Sequence, residues 1–105
     1  MLVEGVRAVI EALDAGASGR FAVTSPRLGQ TSGGSALVAR LAATDLELNT
    51  IDDADLRALA STEHPQGILF VCSEPRASLD LVEPGMRLLV LDGVQDPGNT
   101  GTLVR

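Results

Sequence analysis

The sequence predicts an α/β fold on a parallel or mostly parallel sheet. Three observations lead there. Apolar residues recur at helical spacing in three separate segments, short strand-like apolar runs lie between them, and the run Ile68-Leu69-Phe70-Val71-Cys72 is apolar throughout, as strands covered on both faces tend to be. Strands alternating with helices of about ten residues are the pattern of βαβ crossovers with helices packed on a sheet. At 105 residues and 45% hydrophobic content, the chain has enough apolar material for one ordinary domain with a real core.

Each element has its own local reason. Val6, Val9, Ile10 and Leu13 stand at i, i+3, i+4 and i+7, one face of a helix, and Gly16 follows where a helix ends. Phe21, Ala22 and Val23 form a short strand closed by Ser25-Pro26. Residues 25–35, rich in Gly, Ser and Thr, read as a loop, after which Leu37, Val38 and Leu41 restore helical spacing through Arg40. Leu46-Glu47-Leu48 alternates like a strand, and Asp52, Asp53 and Asp55 gather acids where a helix N-terminus favours negative charge. Leu56, Leu59 and Ala60 supply the buried side of that third helix. His64-Pro65-Gln66-Gly67 is a turn leading into the strand at 68–72, which is expected to be central in the sheet.

Beyond it, residues 73–85 hold Pro75, Pro84 and Gly85 among acids and read as a linker. Leu88, Leu89, Val90 and Leu91 predict a strand, residues 92–101 a loop, and residues 102–105 the first turns of a helix. A strand feeding so short a helix cannot bury its own faces, so this second unit is expected to be incomplete.

Composition excludes several classes. No apolar stretch is long enough to cross a bilayer, and Glu4, Glu11 and Asp14 interrupt the opening segment, so a soluble, uncleaved chain is expected. A single cysteine, Cys72, cannot close an internal disulfide and supplies no metal-ligand cluster, which points to a reducing cytoplasm and no metal. The net charge of −6 runs against nucleic-acid binding, where Arg and Lys neutralise phosphates. Its distribution matters more. Residues 1–40 carry Arg7, Arg20, Arg27 and Arg40 against three acids, whereas residues 41–73 carry Arg57 against six. A phosphate-facing surface would come from the first forty residues.

Three segments carry a family resemblance: LVLDGVQDPGNTGTLVR at 89–105, LVEGVRAVIEAL at 2–13 and LASTEHPQGILFV at 59–71. In order and spacing they resemble the SpoU/TrmH branch of the SPOUT RNA ribose methyltransferases. The first is similar to that family's first catalytic motif, the second to the opening of its substrate-binding domain, and the third to that domain's closing helix, turn and strand. The resemblance implies a three-layer sandwich similar to the kink-turn-binding ribosomal proteins over residues 1–73, a linker at 74–86, and at 87–105 the truncated start of a knotted methyltransferase domain. It also implies S-adenosyl-L-methionine as methyl donor in the full-length enzyme, with none bound by this chain, and structured RNA, ribosomal or transfer, as partner. The full-length enzyme would be a homodimer, and this chain a monomer or weakly associated.

Asn99 and Arg105 occupy the positions that are functional in the family's first motif. A ribose hydroxyl is a poor nucleophile until it loses its proton or is held in line with the donor methyl. A guanidinium with pKa above about 12 suits clamping phosphate or stabilising a developing alkoxide better than acting as base, a role open to it only if strongly perturbed. By itself Asp96-Pro97-Gly98-Asn99 is a surface turn that exposes backbone N–H groups at a helix start. The later motifs of the donor pocket have no counterpart here, so no catalysis is expected from this chain alone. Arg20, Arg27 and Gln30, flanking the second strand and its Gly/Ser loop, are the leading RNA contacts, with Arg7 and Glu4 behind them. Each also has a plain reading as a solvated or locally paired residue. His64 and Cys72 read as structural. Two departures from the family bear on affinity: the basic segment before the opening strand is missing, and Met1 stands where an aromatic residue is usual. With two Phe and neither Tyr nor Trp, the chain lacks stacking platforms for single-stranded bases, which favours recognition of folded RNA.

Two alternatives share parts of this pattern. A free-standing ribosomal-type RNA-binding module would explain residues 1–73 but not the motif at 89–105. A phosphoacceptor receiver domain would use Asp92 at a strand end but needs a lysine, which the chain lacks, and an acidic pair after its first strand. A dinucleotide-binding domain would need a glycine fingerprint after that strand.

Overall fold

Four strands pair into one sheet in the order β1-β4-β2-β3, where β1 is Leu2–Glu4, β2 is Gly19–Thr24, β3 is Glu47–Thr50 and β4 is Ile68–Cys72. Between them run α1 (Val6–Asp14), α2 (Gly34–Ala42) and α3 (Asp53–Leu59), and a fourth helix, α4 (Pro97–Val104), follows later in the sequence. These elements come from a computed structural model, which describes residues 1–74 and 78–104. The chain divides into two compact units, Met1–Pro75 and Arg76–Arg105.

The sheet is mixed, which corrects the expectation of a parallel or mostly parallel one. β2 and β3 are parallel, but β4 runs antiparallel to both of its neighbours, β1 and β2. The reason is the reach of the chain after β3. A parallel return would need a crossover that travels back along the sheet. Helix α3 has seven residues, about 10 Å at 1.5 Å each, and the following residues 60–67 bring the chain back to the end where β2 and β3 finish. Thr24, the last residue of β2, therefore sits opposite Ile68, the first of β4. β3 is also displaced from its expected start at Leu46 and covers residues 47–50 on the sheet edge.

β4 is interior, as its unbroken apolar character implied, with Ile68, Leu69, Phe70 and Cys72 all buried. Strand alternation turns Ile68, Phe70 and Cys72 to one face, where they form a cluster with Ala22 of β2, Val6 and Val9 of α1, Leu37 and Leu41 of α2, and Leu28. Fully burying a side chain such as Phe70 contributes roughly 1.5–3 kcal/mol. Leu69 points to the opposite face, and it and Leu56 of α3 are buried outside that cluster.

Helix boundaries follow capping chemistry. α1 ends where the Gly16 backbone turns left-handed (φ +76°), letting the Ala17 N–H donate back to the Ala12 carbonyl at 2.9 Å. Asp52 caps α3, its carboxylate accepting from the Asp55 N–H at 2.8 Å.

In the second unit, residues 88–91 form no strand, contrary to expectation. A strand exists through its ladder, and Leu88, Leu89 and Val90 have no pairing partner among the described residues and stay exposed. The loop expected over 92–101 is cut short, because α4 begins at Pro97 rather than at 102. Pro97 is suited to a first helical turn, and Asp96 leads the helix, accepting from the Gly98 N–H at 2.7 Å through its carboxylate and from the Thr100 N–H at 3.1 Å through its carbonyl.

Candidate RNA-contact site

One end of the sheet gathers the finish of β1, β2 and β3, the start of β4, the first turns of α1 and α2, and the loop at 60–67. The expected loop at 25–35 is ordered here. It opens with a 3-10 turn, Pro26–Gln30, whose Leu28 side chain is 1% exposed, while Arg27 and Gln30 face solvent.

Two glycines and a threonine hold this turn. The Leu28 backbone lies so close to Gly34 that a side chain there would overlap the Leu28 carbonyl oxygen. Gly67 has φ +83°, and a Cβ on it would come within 2.5 Å of the Leu28 nitrogen. The Thr31 hydroxyl donates to the Leu28 carbonyl at 2.7 Å, and the Ser25 N–H donates to the Gly67 carbonyl at 3.0 Å. Backbone is thus packed on backbone, an approach that only glycine permits.

A carboxylate completes the seat. Asp53 of α3 accepts from the Arg27 N–H at 3.2 Å. The Ser25 hydroxyl is buried with no partner in good hydrogen-bonding geometry. A serine O–H rotates freely, and leaving it unmet would cost about 1–3 kcal/mol. Rotation of the O–H toward the Asp53 carboxylate meets that need. That hydroxyl is the largest influence holding the Asp53 carboxyl below the usual carboxylate range, followed by the Arg27 N–H and the charges of Arg27 and Arg57.

A second clasp fixes the neighbouring loop. Glu4 accepts from the N–H and hydroxyl of Ser61 on one carboxylate oxygen and from the N–H and hydroxyl of Thr62 on the other. These bonds, led by the Ser61 hydroxyl, lower the Glu4 pKa from its ordinary value. Gln66 accepts from the Val6 N–H at 2.8 Å, meeting a helix-terminal donor of α1. Glu4, Gly5, Thr62, His64 and Gln66 line a recess of about 250 Å³ between the end of β1 and the loop at 60–67.

Of the residues singled out from sequence, this end assembles Glu4, Arg7, Arg27 and Gln30. Arg7 is exposed on the first turn of α1, 3.6 Å from Glu11. Glu4 faces its own chain, with both oxygens engaged. Arg20 does not join them: it stands near the start of β2, at the opposite end of the sheet from Arg27. Asn99 lies on α4 in the second unit, and Arg105 is outside the described residues. Sequence reasoning missed Leu28, Gly34, Gly67, Gln66 and Asp53. The available signals were a lone leucine in a polar loop and a glycine directly before the apolar strand.

An α/β domain with an arginine-bearing turn locked at one sheet end suits recognition of a preformed partner. Comparison with known proteins gives its class. Residues 2–78 match the family described as RNA 2'-O ribose methyltransferase substrate binding, and the chain belongs to that family. It is similar to the 23S rRNA (guanosine(2553)-2'-O)-methyltransferase RlmP of Bacillus subtilis (strain 168), with 36% identity over 62 residues. That match covers 59% of this chain and 24% of the relative, so the chain spans about a quarter of the length of the curated relative. Among the described residues, no helix is long and apolar enough to cross a membrane.

Proposed function

We propose that this chain is the RNA substrate-binding portion of an S-adenosylmethionine-dependent ribose 2′-O-methyltransferase acting on ribosomal or transfer RNA in the cytoplasm. Residues 1–73 form the RNA-binding domain, a three-layer sandwich of the kind seen in kink-turn-binding ribosomal proteins. Residues 74–86 are its linker, and residues 87–105 belong to the start of a SPOUT methyltransferase domain, in which Asn99 and Arg105 serve the parent enzyme. The family match over residues 2–78 carries this reading. The preset turn supports it: Arg27 and Gln30 are exposed on backbone whose conformation is already determined, so RNA binding costs little ordering entropy.

Among the described residues of the second unit, Leu88, Leu89 and Val90 are 62%, 58% and 82% exposed, so these three enclose no surface for an adenine or a sulfonium. No step of methyl transfer is assigned to this chain, which is inactive alone, and the active full-length enzyme works as a homodimer. The receiver-domain alternative loses its footing, since Asp92 does not follow a strand.

A gel shift against structured ribosomal and transfer RNA at two salt concentrations tests the reading. Arg27→Ala should weaken binding and reduce the slope of log affinity against log salt by about one, the signature of one lost phosphate contact. Arg7→Ala should do the same more weakly, since Glu11 competes for its charge. Salt-independent binding, or none by the unsubstituted chain, would overturn the proposal.

A further inference from the structure

The opposite end of the sheet holds a recess that the RNA reading does not use. Leu13, Ala17, Leu46 and the edge of Phe70 form its apolar floor, Arg20 and Asp45 stand at its rim, and its volume is about 300 Å³. Neither Arg20 nor Asp45 has an ion-pair partner among the described residues, whereas the nearby helix-end charges Arg40 and Asp14 are matched to each other at 2.7 Å. The geometry points to a binding site for a guanosine monophosphate moiety, with Asp45 reading the base and Arg20 holding the phosphate.

The backbone is shaped for this. Along β2, Gly19 pairs with Cys72 and Phe21 with the adjacent Val71, so Arg20 is the extra residue of a β-bulge. A bulge re-aims the side chain it carries, and bulges concentrate beside functional sites. Gly19 itself packs tightly: a Cβ there would lie 2.7 Å from both Leu46 Cδ1 and Phe70 Cε2. The Thr44 hydroxyl accepts from the Leu46 N–H at 3.4 Å and donates to the Leu41 carbonyl at 2.7 Å, which fixes the turn bearing Asp45.

The two charges select the ligand. Among the RNA bases, only guanine offers two parallel donors, N1–H and the 2-amino group, to one carboxylate. Adenine and cytosine set a lone-pair nitrogen beside their amino group, and uracil flanks its N–H with two carbonyl oxygens, so each brings a repulsive atom against Asp45. A guanidinium matches phosphate oxygens in the same way. The cavity lies at the lower end of the about 300–1,000 Å³ typical of small-ligand sites, room for one base and its ribose. The same moiety could come from a free nucleotide or from a nucleotide extruded from RNA.

Amide-resolved NMR titration of the chain with GMP, IMP and AMP, with the nucleoside guanosine, and with a short single-stranded RNA containing one guanosine, tests this. Shifts should cluster at Gly19, Arg20, Asp45 and Leu46. GMP should bind about tenfold or more tighter than AMP, with IMP between because it lacks the 2-amino donor. Asp45→Asn should abolish that ranking, and Arg20→Ala should weaken GMP while leaving guanosine unchanged; both side chains are exposed, so neither substitution threatens the fold. Shifts with GMP identify a free-nucleotide site, and shifts with the oligonucleotide alone identify an RNA source. Absence of shifts in this cluster with every probe, or equal response to all three nucleotides, would overturn the inference. The turn at Arg27 and Gln30 reports separately on structured RNA, so failure here leaves the proposed function standing.

Discussion

Replacing Gly67 with alanine tests how the Arg27 turn is held. Two costs add at this position. Alanine at φ +83° pays the left-handed penalty, about 1–2 kcal/mol. Its Cβ would also meet Leu28 N at 2.5 Å, Leu28 Cα at 3.0 Å and the Arg27 carbonyl carbon at 3.1 Å, all of them backbone. Backbone cannot rotate aside as a flexible side chain can, so the turn must shift, at about 1–3 kcal/mol, the usual range for overpacking. The sum, about 2–5 kcal/mol, is a large part of the about 5–15 kcal/mol that stabilises a typical domain. Gly16→Ala supplies the control, since φ is +76° there and nothing lies within 4 Å of the added carbon. Urea unfolding should show Gly67→Ala losing at least about 1 kcal/mol more than Gly16→Ala, with a Tm lower by about 4–8 °C for each additional kcal/mol. Gly67→Ala should also bind RNA more weakly at temperatures where it remains folded, whereas Gly16→Ala should not. Equal destabilisation by the two variants would refute the idea that the turn is seated on Gly67.

Other consequences are read in stability measurements. Because the Glu4 pKa is lowered in the folded state, its clasp contributes stability above the unfolded-state pKa, and that contribution is lost as pH falls through the folded value. Thermal unfolding of Glu4→Gln should therefore lie below that of the unsubstituted chain at neutral pH and converge on it in acid; a constant difference across the range would contradict the clasp. Asp52→Ala removes the α3 cap and should cost about 1 kcal/mol in urea unfolding, with Asp52→Asn retaining most of it. Leu28→Ala should cost about 2–5 kcal/mol, because the side chain is fully buried under the turn.

Local chemistry made much of the first unit legible. The 3.6-residue spacing of Val6, Val9, Leu37 and Leu41 marks helices whose apolar faces must be buried, and the unbroken run at 68–72 marks an interior strand. Acids at 52–55 marked the start of α3, since a capping carboxylate acts on N–H groups only a few residues away. The motifs carrying the family resemblance are likewise contiguous stretches of sequence. Arg27 and Gln30 could be picked out as exposed candidates because a polar loop after a strand faces water.

Tertiary structure decided what depends on residues far apart in the chain. The direction of β4 follows from where α3 and the loop at 60–67 deliver the chain, and periodicity carries no sign of direction. Leu88, Leu89 and Val90 have strand composition but no ladder, because a strand is a property of a pair. Glu4 read as an RNA-contact candidate or a locally paired acid until the loop 57 residues later brought Ser61 against it. Arg20 and Arg27, grouped as one set of RNA contacts because they flank the second strand, lie at opposite ends of the sheet. Composition and spacing act over one or two turns of chain, so they specify elements. Which carboxylate meets which donor, and which glycine meets which backbone, is determined only when packing closes distances that the sequence leaves open.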